Sequence, residues 1–171
     1  MSMIGVSIAL PDECGIELQS YRLSLGDEAA RQIPSHVTLV PPVQISGELD
    51  HVIEHLRGVA GTIAPFEVHL RGTGTFRPVS PVVFIALASG ISECEQLAGA
   101  VATGPLAVDI EFPYHPHVTI AHGIDEAAMD RAFDEMADFE CTFEVRSFWL
   151  YAFDPEIGWT KLPEFALTDP A

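Results

Sequence analysis

Pro34-Ser35-His36-Val37-Thr38-Leu39-Val40 and Tyr114-His115-Pro116-His117-Val118-Thr119-Ile120-Ala121 share one tripeptide, His-Val-Thr, and 117 − 36 and 119 − 38 both equal 81. Val, Thr, Ile and Leu suit a pleated strand. Its period of two puts His36 with Thr38, and His117 with Thr119, on one face, leaving Val37/Leu39 and Val118/Ile120 for the other. Each copy therefore presents an imidazole and a hydroxyl in one direction from a short rigid strand. Alone, either tripeptide reads as a packed histidine beside a β-former. As a pair they read as two halves of one site.

Outward from these copies, the chain alternates strand and helix signals. Ile4 to Leu10 alternates as a strand and is closed by Pro11-Asp12, and an imperfect helical stripe then runs from Glu13 to Arg31, weakened at Gly15 and Gly26. Pro34 imposes an extended approach to the first motif, and Pro41-Pro42 marks that strand's far end. Leu49, Val52, Ile53, Leu56 and Val59 space a helix over Glu48 to Ala60. Strands are expected at Phe66 to Leu70 and Val82 to Leu87, with Gly72 and Gly74 loosening the end of the first and Phe76-Arg77-Pro78 in the connection. Ser92 and Glu95 suggest a capping box for a helix over Ser92 to Ala102. A short apolar stretch after Gly104-Pro105 leads to Phe112 and the second motif. Asp125 caps a helix to about Ala137, Cys141 to Phe153 is strand-rich, and Asp154 to Gly158 is the turn into a last strand, Trp159 to Leu167. The order divides near residue 90 into two similar halves with one His-Val-Thr each. The expected fold class is α+β, with antiparallel-type sheets rather than a doubly wound parallel sheet. One bilobal domain is expected over residues 1–171.

Composition narrows the function. The 171 residues are 48% hydrophobic, enough for a sizeable core, and 25 acids against 8 bases give a net charge of −17. Lys161 is the only lysine. Such a chain repels polyanions, so an extended nucleic-acid surface is not expected, while a small phosphate-bearing substrate needs only a few local donors. Cys14, Cys94 and Cys141 are odd in number, far apart and in no Cys-x-x-Cys spacing, which reads as buried free thiols in a reducing compartment. No signal-peptide pattern opens the chain and no run approaches the roughly 20 apolar residues of a membrane span. A cytoplasmic, monomeric protein with no membrane partner is expected.

His115, His117 and His122 raise the alternative of a metal site. Pro116 interrupts the first pair, alternation puts His122 on the strand face opposite His117, and no nearby carboxylate or thiol completes a familiar ligand spacing. No metal and no cofactor is expected. His51, His55 and His69 fall on helix or strand surfaces.

Both motifs with their flanks, the opening strand before Leu10-Pro11, and the strand Val82 to Leu87 after Phe76-Arg77-Pro78 resemble the 2H phosphoesterase superfamily, the group of 2'-5' RNA ligase-like proteins and cyclic phosphodiesterases. The resemblance spans nearly the whole chain. It implies a bilobal, pseudo-symmetric fold with two sheets flanked by helices around a central groove. It also implies metal-independent phosphodiester chemistry, on 2',3'-cyclic phosphates, 2',5' bonds or related small nucleotide or RNA-end phosphodiesters, with His36, Thr38, His117 and Thr119 as the catalytic set.

That chemistry suits these residues. Opening a cyclic phosphodiester needs a base for the attacking water and an acid for the departing sugar oxygen, and imidazoles with ordinary pKa values near 6.5 supply both. Threonine hydroxyls on the same face can donate to the non-bridging oxygens. Phe76, Arg77 and Tyr114 are candidate substrate-binding residues of the groove wall, by aromatic stacking and charge. Core packing or a solvated loop is the other reading for all three, as core packing is for Trp149, Tyr151 and Phe153. The alternatives to a phosphodiesterase are a non-catalytic nucleotide-binding or sensor module, and a 2'-5' RNA ligase-like enzyme that processes RNA ends.

Overall fold

A computed structural model describes residues 2–107 and 113–170. Residues 108–112, including most of the short apolar approach to the second motif and Phe112, lie outside the described residues. The strands are β1 (Ser2–Ala9), β2 (His36–Ile45), β3 (Phe66–Thr75), β4 (Val82–Ser89), β5 (His117–His122), β6 (Glu140–Val145), β7 (Ser147–Asp154) and β8 (Gly158–Ala166). The helices are α1 (Asp12–Ser24), α2 (Leu49–Ala60), α3 (Ile91–Val101) and α4 (Glu126–Glu135).

The strands form two four-stranded antiparallel sheets, ordered β2-β1-β7-β8 and β5-β4-β3-β6. The α+β class with two antiparallel sheets is what the sequence predicts. The sheets are not successive halves of the chain, however. The first takes strands from both ends and the second takes the middle, because the strand-rich stretch from Cys141 to Phe153 breaks at Arg146 into β6 and β7 of different sheets. Each sheet carries one motif, on the edge strands β2 and β5, and these two strands pack together. Helices reach across. α1 leaves β1 yet packs on β5 and β6, while α3 leaves β4 yet packs on β2.

Several local expectations are revised for identifiable reasons. The long helix predicted from Glu13 stops at Ser24, because Gly26 takes φ +85°, and a separate 3-10 turn covers Glu28–Arg31. β2 runs through Pro41-Pro42 to Ile45; on an edge strand, missing N–H groups can be left facing away from the ladder. β3 likewise continues past Leu70 to Thr75, with Gly72 at φ +76° accommodating a register shift. The Ser92/Glu95 capping box does not form, since α3 starts one residue earlier, from Gly90 at φ +89°. Asp125 does cap α4, accepting from the Ala128 N–H at 2.8 Å.

Cys14 of α1 and Cys141 of β6 are joined in a disulfide, with Cα atoms 5.9 Å apart and a sequence separation of 127. This corrects the expectation of three free thiols. Pairing so distant has no spacing signature, and only the packing of α1 on β6 brings the two together. Cys94 is the buried free thiol.

Candidate active site

β2 and β5 each turn the branched residues of the motif inward. Val37, Leu39, Val40, Val118, Ile120 and Ala121 are all at most 3% exposed, while His36, Thr38, His117 and Thr119 are half-buried on the opposite face. In each copy two consecutive residues after the threonine are buried, which breaks strict alternation. The cause is a β-bulge. Between β1 and β2 the register slips from Ser7↔Thr38 to Val6↔Val40, and between β4 and β5 from Phe84↔Thr119 to Val83↔Ala121. The bulges repeat at positions that differ by 81, like the motifs (120 − 39, 121 − 40). Beyond the second bulge, His122 pairs with Val82 in the row parallel to Phe84↔Thr119. His122 therefore shares the face of His117, not the opposite face that alternation predicts.

Both catalytic candidates are oriented by the same device. His36 Nδ1 lies 2.8 Å from the Pro34 carbonyl and His117 Nδ1 lies 2.7 Å from the His115 carbonyl, each two residues back. A carbonyl only accepts, so Nδ1 carries the proton and donates it, and Nε2 is the nitrogen left to exchange protons. Burial lowers the pKa of both histidines from 6.5. The nearby charges of Arg22 and His117 lower that of His36 further, and that of His115 lowers His117; the carbonyl contacts oppose the shift.

The surroundings of the two motifs differ. Beside His117 lies a cavity of about 600 Å³ lined by Phe76, Val79, Pro113 and His115 together with Thr75 and Ser80. Phe76 meets the His117 ring edge-on at 4.9 Å, and Phe84 lies 5.3 Å from it and 4.5 Å from Phe76. Beside His36 and Thr38 lies a hollow of only about 80 Å³, with Ser7, Gly5, Tyr151 and Trp159 in its wall. Across the sheet, Ser7 pairs with Thr38 where Phe84 pairs with Thr119, so one motif has a small polar neighbour and the other a phenyl ring.

Of the three groove-wall candidates, Phe76 stands in the cavity beside His117. Arg77 is engaged elsewhere: its guanidinium lies 2.9 Å from both Glu126 and Asp130 of α4 and 3.0 Å from Thr75 Oγ1, and the hydrogen bond to Asp130 and the nearby acids raise its pKa. The Tyr114 hydroxyl donates to the Thr38 carbonyl at 2.8 Å, tying the approach to the second motif onto the first motif's strand. Burial, its largest influence, raises the Tyr114 pKa well above the usual value. Among the described residues, no three His, Cys, Asp or Glu side chains form a cluster suited to a metal ion, and no helix is long and apolar enough to cross a membrane.

Ser7 and Trp159 are not among the candidates that the sequence singles out for the site, while for Tyr151 core packing is the favoured sequence reading and His122 is expected to be secondary or structural. The one sequence signal for His122 is the pair of consecutive apolar residues after each threonine, Leu39-Val40 and Ile120-Ala121, which is how a bulge reads in an alternating strand.

Comparison with known proteins agrees with the fold described above. TT0787 of Thermus thermophilus superposes with a TM-score of 0.67 over the whole of both chains at 23% identity. E. coli LigT, crystallised with 3'-AMP, does so at 0.62 over 98% of this chain and 99% of its own, at 21% identity. These likenesses establish the fold. In sequence, a Staphylococcus haemolyticus protein named "Putative phosphoesterase" is 27% identical over 96% of this chain and 98% of its own. A Staphylococcus aureus (strain Newman) protein of the same name is 30% identical over 70% of each. Residues 10–156 match the 2'-5' RNA ligase superfamily, and with both His-Val-Thr motifs inside that span the chain belongs to this family of 2H phosphoesterases.

Proposed function

We propose that this protein is a phosphodiesterase that opens 2',3'-cyclic phosphates, or related small nucleotide phosphodiesters, by general acid–base catalysis from His36 and His117 with no metal or cofactor. The observation that carries the proposal is the duplicated orientation of the two imidazoles, each with Nδ1 committed to a carbonyl and Nε2 left to act. One Nε2 takes a proton from water as its oxygen bonds to phosphorus. The other delivers a proton to the sugar oxygen as the P–O bond breaks. Thr38 and Thr119 donate to the non-bridging oxygens, where charge accumulates. Phe76 offers a face for a base in the larger cavity, while Arg77 and Tyr114 support the substrate indirectly, by anchoring the segments on which Phe76 and His117 sit.

Hydrolysis of a panel of 2',3'-cyclic nucleotides and 2',5'-linked dinucleotides in EDTA tests the proposal. The wild type is expected to turn over at least one of them, and His36→Ala and His117→Ala to lose roughly 100- to 10,000-fold in rate. No turnover, or variants as active as the wild type, would end this reading. Abolition by EDTA would replace it with a metal-dependent hydrolase.

A further inference from the structure

The imidazole of His117 is held at one atom by the His115 carbonyl, 2.7 Å from Nδ1. One hydrogen bond leaves the ring plane loosely set, because the last torsion of a histidine side chain is broad. Two phenyl rings supply the rest. Phe76 meets the His117 ring at 4.9 Å with the planes at 89°, and Phe84 lies 5.3 Å away with the planes at 59°. The same two rings pack on His115, Phe76 at 5.5 Å and Phe84 at 5.4 Å, so both ends of the hydrogen bond are braced.

Phe84 differs from Phe76 in what it can touch. Phe76 stands in the wall of the cavity of about 600 Å³, whereas Phe84 is 6% exposed and is not among the residues lining it. The Phe84 ring has its place because of a glycine. Gly74 of β3, Phe84 of β4 and Thr119 of β5 form one row across the sheet, and a Cβ on Gly74 would fall 2.5 Å from Phe84 Cζ and 2.6 Å from Cε2. Gly74 is not among the glycines with positive φ, so space rather than backbone conformation requires it. With a side chain there the Phe84 ring has to move, and its other ring neighbours are Phe76, His115 and His117. In the matching row beside the first motif, Ser7 lies opposite Thr38, so a phenyl ring takes this position only beside the second.

We infer that Phe84, seated over Gly74, is a positioning residue for His117, holding both the imidazole and the carbonyl that fixes its tautomer. The kinetic consequence rests on the phosphodiesterase reading; the spectroscopic one does not. Phe84 touches no reacting atom. It acts by keeping Nε2 of His117 aimed at the phosphodiester, and a misplacement of about 1 Å can cost about 100-fold in rate.

Phe84→Leu tests the role, with Phe143→Leu for comparison, since Phe143 is a buried phenylalanine of the same sheet on β6, the edge strand farthest from β5. In Phe84→Leu, kcat for a 2',3'-cyclic nucleotide is expected to fall about 10- to 100-fold with KM within about twofold of the wild type, while Phe143→Leu lowers the melting temperature and keeps kcat. Imidazole nitrogen-15 shifts, measured with the rings neutral, report the tautomer directly. In Phe84→Leu, His117 is expected to lose its uniform Nδ1–H form and His36 to keep it. Gly74→Ala is expected to lower kcat as well, and the double variant to be no slower than Phe84→Leu alone, because the clash is with the ring. Wild-type kcat in Phe84→Leu, an effect confined to KM, an equal fall in Phe143→Leu, or an unchanged His117 tautomer would overturn the inference, as would a tautomer change shared by both histidines. A wild type inactive on every cyclic nucleotide would end the phosphodiesterase reading, and the His117 tautomer would still decide the role of Phe84.

Discussion

His36 and His117 both titrate below 6.5 because burial disfavours their charged forms. In the free protein at neutral pH both are therefore predominantly neutral, whereas the proposed mechanism needs one of them protonated. At the residue scale this shapes the pH dependence in two ways. First, kcat/KM, which reports the free enzyme, is expected to peak below pH 6.5 in a pH–rate profile. Second, an anionic phosphodiester lying between the rings favours the charged imidazole, so the kcat profile, which reports the bound complex, is expected to be displaced toward higher pH. Stability moves in the same sense. A histidine whose folded pKa is depressed stabilises the native state above the unfolded value of 6.5, and that contribution is lost as pH falls through the folded pKa. Replacing both histidines with glutamine is expected to flatten the decline of urea-unfolding free energy below pH 6.5. The motif residues are legible in sequence because identity and period-two alternation are local properties. Tyr151 is not, since an aromatic on an apolar strand looks the same whether it fills a core or walls a hollow.

At the scale of elements, the bulges after Thr38 and Thr119 do what a regular strand cannot. They bury two consecutive apolar residues and return the next position to the site face, so His122 joins His117 there. The Asp27 carboxylate accepts the His122 N–H at 3.2 Å and pairs with Arg22 at 2.7 Å, linking α1 to the end of β5. The disulfide between Cys14 and Cys141 fastens α1 at a second place, on β6. Cross-linking positions so far apart constrains the unfolded chain most, and removing such a link costs about 2–5 kcal/mol. Cys14→Ser, or reduction of the wild type, is expected to lower the unfolding free energy by that amount in urea titrations at pH 7. Identical midpoints for oxidised and reduced protein would show that the link adds nothing to stability. The ends of α1 and β2 depart from the sequence pattern for opposite reasons. Gly26 breaks a helix that its apolar stripe supports, and Pro41-Pro42 is tolerated in a strand because that strand lies at a sheet edge.

Across the whole molecule, a net charge of −17 surrounds the site proposed to take an anionic phosphodiester. Arg22, Arg31, Arg77, Arg131 and Arg146 already lie beside carboxylates, so little cationic surface remains for a polynucleotide backbone. If the acidic field opposes binding, added salt screens repulsion rather than attraction. Raising the NaCl concentration severalfold is expected to leave KM for a mononucleotide cyclic phosphate nearly unchanged, and to lower it for an RNA oligomer ending in the same group. A steep rise for the oligomer would reveal a basic track that the described residues do not suggest. The sequence by itself determined the paired motifs, the faces on which they stand, the antiparallel α+β class and the scarcity of cations, because each follows from residue type and short-range periodicity. Only the tertiary structure decided which strands share a sheet, that Cys14 meets Cys141, that Arg77 is held by α4, and that one motif faces a small hollow and the other a larger cavity with Phe76 in its wall. Those outcomes depend on contacts between residues far apart in the chain, where no local pattern records the partner.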